Sequence, residues 1–259
     1  MKLTIYQVDA FTSKLFGGNP AAVVPLKEWL DDELMQNIAL ENNLSETAFF
    51  VNENGEYRIR WFTPTAEVDL CGHATLASAF VMFNQLGFNR SLISFNSKSG
   101  KLIIERENEL ISLDFPARVP KPKELNPILH DALNITPKEV LFNKTTVAVL
   151  NSESEVRKLK PDIQKFLELD THGVIITAQG DKVDFVSRFF APDVGIDEDP
   201  VTGYAHTILT PYWAKVLGKN RMSALQVSER GGELICELKG ERVKILGDAK
   251  LYLKGEIYI

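Results

Sequence analysis

The chain predicts an α+β fold made of two similar halves, each with strands wrapped around one central helix. Three observations carry this. One pattern is stated twice: Phe62-Thr63-Pro64, six residues, then Cys71-Gly72-His73-Ala74-Thr75; and Phe190-Ala191-Pro192, six residues, then Asp199-Pro200-Val201-Thr202-Gly203. Each copy follows a hydrophobic strand and opens a helical run that is apolar on nearly every side, as a buried helix must be. The order of elements is neither strictly alternating βαβ nor all strand, which sets aside doubly wound and sandwich folds. A repeat of this length suits a duplicated domain rather than a solenoid, so the two helix starts are expected to face each other across a cleft, the expected active site.

The elements follow in order. Leu3–Val8 alternates as a strand, a Gly-Asn-Pro turn leads to a short strand at Ala21–Val24, and a helix over Asp31–Glu41 carries acidic residues in its first turn. Strands at Glu46–Asn52 and Tyr57–Phe62 flank Asn54-Gly55, the mark of a tight hairpin. The first apolar helix spans Ala74–Gln85 and stops at Gly87. Strands at Ser91–Phe95, Lys101–Glu105 and Leu110–Phe115 precede a proline-rich basic stretch, Pro116–Lys123, read as a linker. The second half repeats the order, with strands near Thr145–Leu150, Gly173–Thr177 and Val183–Phe189, an apolar helix Ala205–Leu217 ended by Gly218, and three or four closing strands.

Composition narrows the function. With 259 residues and 44% hydrophobic content the chain can build real cores, and a net charge of −6 with scattered Lys and Arg argues against nucleic acid as a partner. No apolar run reaches the length a membrane helix needs, and the start of the chain lacks the pattern of a secretory signal, so a cytoplasmic protein with no membrane partner is expected. Two cysteines, Cys71 and Cys236, make no disulfide framework. The four histidines show no metal-ligand spacing, and no phosphate-binding glycine loop occurs, so neither metal nor cofactor is expected.

Candidate chemistry gathers at a few positions. Glu46, after Ser45, sits where a polar turn enters an apolar strand, and desolvation there would raise its pKa toward an acid/base range; the plainer reading is an exposed strand-end carboxylate. Cys71-Gly72-His73 opens a helix whose free N–H groups and positive dipole end favour a carboxylate or a developing enolate. Alternatively, Gly72 only turns the chain, His73 caps the helix and Cys71 is a small buried hydrophobe. Asp199, Thr202 and Gly203 mark the second helix start, with Thr202 in a capping position; Asp197, Glu198 and Asp199 also read as an acidic first turn. Asn19 lies in a turn that would line a pocket.

Together, Asp9-Ala10-Phe11, Gly18-Asn19-Pro20-Ala21-Ala22-Val23, Asn43-Leu44-Ser45-Glu46, Phe62-Thr63-Pro64, Cys71-Gly72-His73-Ala74-Thr75 and Glu198-Asp199-Pro200-Val201-Thr202-Gly203 resemble the PhzF family of phenazine-biosynthesis-like isomerases over essentially the whole chain. The resemblance implies the diaminopimelate epimerase-like fold, with two pseudo-symmetric β-barrel-like halves at 1–116 and 117–248 and a last strand, 249–259, returning to the first half. It implies that Glu46 is the acid/base moving a proton between two substrate carbons, that His73 and Asp199 position and polarise the substrate, and that N–H groups near Gly72 and Gly203 hold its acidic group. A small carboxylate-bearing substrate, no cofactor and a homodimer go with it. Tyr204 departs from the family, which commonly has a small hydroxyl residue there; a phenol would crowd the pocket or point into it. Two other readings stand beside this one. Proline racemase-like proteins share the stretch around Cys71 but use two opposed thiols, and Pro200 occupies the place of the second. A non-catalytic binding protein of the same fold would not need Glu46, His73 and Asp199 together.

Overall fold

The computed structural model describes residues 1–259. The chain divides into two compact units, Met1–Asp114 with Leu246–Ile259, and Phe115–Ile245.

The first unit starts with β1 (Lys2–Ala10), β2 (Asn19–Leu26) and α1 (Asp32–Asn42), then β3 (Glu46–Glu53), β4 (Glu56–Phe62) and the two-residue β5 (Glu67–Val68). The apolar helix α2 (Gly72–Asn84) follows, then β6 (Leu92–Ser97), β7 (Gly100–Glu107) and β8 (Leu110–Pro116). β1 runs antiparallel to β2, β2 parallel to β3, β3 antiparallel to β4, and β4 parallel to β6. Asn54 and Gly55 both take positive φ, 55° and 92°, as a two-residue turn with the twist of its strands requires, and Glu53 pairs with Glu56 across it. Both faces of the β2–β3 region are covered. Ala22, Val24, Phe49 and Val51 pack with Met35 and Ile38 of α1, while α2 lies against β1, β2 and β3. That is why β2 and β3 read as unbroken apolar runs, and why α2 has no polar face.

The second unit repeats the scheme. A short β9 (Lys121–Pro122) and α3 (Pro127–Leu133) precede β10 (Glu139–Asn143) and β11 (Thr145–Val149). α4 (Glu153–Lys158) leads to β12 (Val174–Gln179), β13 (Phe185–Ala191), β14 (Ile196–Asp199) and the second apolar helix α5 (Gly203–Leu217). β15 (Arg221–Gln226), β16 (Gly232–Lys239) and β17 (Arg242–Gly247) close it. The pairings match the first unit: β10–β11 antiparallel, β11–β12 parallel, β12–β13 antiparallel and β13–β15 parallel. Leu129, Leu133 and Val156 of α3 and α4 cover one face of β12, and Trp213 of α5 reaches the other, donating Nε1–H to Thr177 Oγ1 at 3.0 Å.

Two features differ from expectation. The stretch read as a free linker is tied down: Ala117, Arg118 and Lys123 donate their N–H groups to the carbonyls of Glu241, Thr207 and Val140. The Thr207 carbonyl is open because Pro211, four residues later in α5, has no N–H to give it. The acidic residues before the second helix lie in β14 rather than in a first helical turn.

The final strand, β18 (Ala249–Tyr258), pairs antiparallel with β1 from Lys2↔Tyr258 to Ala10↔Ala249, with a bulge at Tyr252. No helix is long and apolar enough to cross a membrane.

Candidate active site

Local sequence brings Glu46 to the start of β3. α1 ends at Asn43, which takes the left-handed conformation and returns its N–H to Ala39, and Asn42 donates its side-chain amide to Thr47 Oγ1. The chain therefore enters β3 at Glu46, beside Ala21 of β2. Ser45 is half-buried in that turn, and Asn19, at the start of β2, is fully buried.

Cys71 is the N-cap residue of α2 in extended backbone, and no side chain caps the helix. Its carbonyl instead accepts from Thr75, through both N–H and Oγ1. The early N–H groups at Gly72 and His73 thus lack a side-chain acceptor, and the dipole makes this end an anion-attracting one. Two residues in from the cap, the imidazole of His73 lies between a thiol and a carboxylate. Nδ1 is 3.5 Å from Cys71 Sγ, and Nε2 is 3.1 Å from Glu46 Oε2. Both side chains of the pair are shielded, His73 at 7% and Glu46 at 13% exposure. Oε2 and Nε2 meet as an ion pair.

The charge state follows from this packing. Burial opposes ionisation of Glu46, but the imidazolium of His73, with the His73 and Cys71 donors, outweighs it and holds the carboxyl below its ordinary value. This reverses the upward shift expected from desolvation alone, because a cation shares the burial. Burial likewise opposes the charge on His73, and Cys71 and Glu46 outweigh it, keeping the imidazole well above its usual value. The Cys71 thiol goes the other way, pushed up to about 11 by burial and by the Glu46 charge. The resting cluster is carboxylate, imidazolium and neutral thiol. Its three donor atoms lie within 4.8 Å of one another, a set that chemically suits zinc. Yet the thiol and the carboxylate approach different ring nitrogens, and one ion can take only one of them. The imidazole is thus flanked on its two nitrogens by the thiol and the carboxylate.

In the second unit, Asp199 ends β14 and is buried. Thr202 is the N-cap residue of α5, but it does not cap: its hydroxyl donates to Asp199 Oδ2. Gln226 of β15, which nothing in the sequence singles out, locks this turn. It accepts from Thr202 N–H at 2.8 Å and donates to the Asp199 carbonyl at 2.7 Å. Gly203, buried, is the first helical residue. His206, one turn on, is fully buried between the Thr202 carbonyl and Ser187 Oγ, and burial drives it down to about 4, so it is neutral. The Tyr204 hydroxyl is engaged with Thr145 Oγ1 at 3.1 Å, and its ring lies under the Arg118 guanidinium at 5.0 Å.

Comparison with known proteins gives the family and the fold. The family model described as phenazine biosynthesis-like protein, PhzC-PhzF, matches residues 8–255. An uncharacterized isomerase of Pseudomonas aeruginosa is 51% identical over the full length of both chains. The crystal structure of a PhzF-family phenazine biosynthesis protein from Enterococcus faecalis covers all of both chains at 50% identity with a TM-score of 0.98. A predicted epimerase of P. aeruginosa shares the fold at a TM-score of 0.73 and 19% identity, covering 99% of each chain. The fold is thus the α+β, diaminopimelate epimerase-like one, and the chain belongs to the PhzC-PhzF family of phenazine-biosynthesis-like isomerases.

Proposed function

We propose that the protein moves a proton from one carbon to another on a small carboxylate-bearing substrate, without a redox cofactor, using Glu46 as the single acid/base. The observation that carries this is the Glu46–His73–Cys71 cluster at the uncapped start of α2. Glu46, ionised at neutral pH, takes the proton as the C–H bond breaks and its electron pair moves into the adjacent π-system. The same carboxyl then returns the proton to a second carbon, so atoms and charge balance. Both ring nitrogens of His73 face protein partners, which makes it a positioning group that keeps Glu46 charged and oriented. The N–H groups at Gly72 and, in the other unit, at Gly203 are suited to the substrate's acidic group. Asp199, buried and tethered by Thr202, is proposed as a second positioning group.

Thiol chemistry is the weaker reading, because a Cys71 pushed up to about 11 is protonated at neutral pH. The test is deuterium uptake from solvent into candidate 2-amino and 2-hydroxy acids. Glu46→Gln is expected to slow uptake by about 10²–10⁴-fold with ligand affinity nearly unchanged. Uptake at the wild-type rate would end this proposal. Cys71→Ser is expected to be almost silent; a severe loss there would move the chemistry to the thiol.

A further inference from the structure

A cavity of 410 Å³ opens in the first unit, at the far end of β3 and α2 from the Glu46–His73 pair. Strand side chains alternate between faces, so Phe50 stands on the Glu46 face of β3 four residues on, about 13 Å away. Met82 lies nine residues along α2 from His73, also about 13 Å away. Phe50, Tyr57, Met82 and Phe88 supply the apolar wall, while Asn52 and Arg90 are its exposed polar members. The wall is a set of packed rings: Tyr57 stands edge-on to both Phe50 and Phe88, with ring centroids 6.4 and 5.9 Å apart. A volume of this size, mostly apolar with a few polar groups, is the composition of a small-molecule site.

The polar groups select the charge of the ligand. Arg90 is the only charged residue that lines the cavity, and its guanidinium makes no ion pair or hydrogen bond within the chain. Asn52 uses its Oδ1 to accept from the Gly55 N–H at 2.8 Å, which leaves its amide hydrogens unused. No carboxylate competes for these donors. Asn52 pairs with Tyr57 and Glu53 with Glu56, so alternation puts the two glutamates on the opposite face, where they accept from Trp29, Arg58 and Asn96. At the end of α2, the Val81 and Met82 carbonyls are already taken by the N–H groups of Gln85, Leu86 and Phe88. A cation and an amide donor therefore stand over aromatic rings. The complement is a flat anion: its ring packs on the wall, and its carboxylate accepts paired bonds from the guanidinium.

We propose that this cavity is a second ligand site, separate from the active site, that takes a small aromatic carboxylate through Arg90 and Asn52 over the rings of Phe50, Tyr57 and Phe88. The test is a titration of the full-length, isotope-labelled protein with benzoate, followed by backbone amide chemical shifts, with benzyl alcohol as the uncharged counterpart. Saturable shifts are expected at Gly55, Gly87 and Asn89, which line the cavity. Arg90→Gln is expected to raise the Kd about tenfold or more, and so is Asn52→Asp, which keeps an acceptor for Gly55 but adds a like charge. Benzyl alcohol is expected to bind about tenfold more weakly than benzoate. Glu46→Gln is expected to leave these shifts and their Kd unchanged, so the result does not depend on the chemistry assigned to Glu46. Absence of shifts at the three amides overturns the proposal. So does a Kd that Arg90→Gln or Asn52→Asp leaves unchanged, benzyl alcohol binding as tightly as benzoate, or shifts that Glu46→Gln abolishes. Asn52 and Arg90 are exposed, and circular dichroism confirms that each variant is folded.

Discussion

His73 and His206 are the same side chain in two buried settings, and their partners decide opposite charge states. His206 meets a carbonyl and a hydroxyl, which cannot offset desolvation, so it is neutral. His73 meets the Cys71 sulfur and the Glu46 carboxylate, which together outweigh burial and hold its pKa well above the usual value. Removing its charge leaves burial, the largest single influence on Glu46, opposed only by the Cys71 donor, so the pKa of Glu46 is expected to rise. His73→Gln is therefore expected to move the acid limb of the pH–rate profile upward, where the wild-type limb lies below the ordinary glutamate value of 4.5. A profile that only drops in height, with the limb unmoved, would show that His73 does not set the state of Glu46. The pair also shapes stability. The folded pKa of Glu46 is depressed, so its contribution is present above 4.5 and is lost as pH falls through the folded value. The folded pKa of His73 is raised, so its contribution is complete below 6.5 and is lost as pH rises through the folded value. The stability difference between wild type and Glu46→Gln/His73→Gln, read by urea unfolding, should peak between pH 4.5 and 6.5. His206 adds a slope of its own, but it is common to both proteins and cancels in the difference.

The elements most readable in the sequence were those with local causes. The Asn54-Gly55 hairpin, the all-apolar helices and the Gly218 stop each depend on residues adjacent in the chain. α3 and α4 also carry local signals, Asn126-Pro127 and the Ser152 to Glu155 capping pair, yet they are too short for periodicity to show. Gln226 was invisible because its role arises only when β15 is laid beside β13, next to the Asp199–Thr202 turn. The sign of the Glu46 shift was illegible for the same reason: burial can be guessed from a strand start, whereas the cation beside it comes from another element. One consequence at this scale concerns Gly232 of β16. A Cβ there would lie 2.2 Å from Val201 Cγ2, and Val201 is fully buried just before the α5 start. Gly232→Ala is expected to cost about 1–3 kcal/mol in thermal or urea unfolding, through overpacking and displacement of the Val201–Thr202 turn.

At the scale of the whole molecule, the duplication that a repeated Phe-x-Pro pattern suggested appears as matching strand order and matching parallel and antiparallel pairings in the two units. The side chains differ within that shared plan: one helix start carries a carboxylate–imidazole pair beside a thiol, the other a carboxylate that accepts from a threonine hydroxyl, in a turn whose backbone a glutamine amide holds. The chain path is less symmetric. β18 follows the whole second unit, yet it flanks β1 along nearly its entire length. A protein emerging from the ribosome can therefore complete its second unit while β1 still has one bare edge. The half that is synthesised first gains β18, the outer neighbour of its first strand, only after the whole second unit has been made.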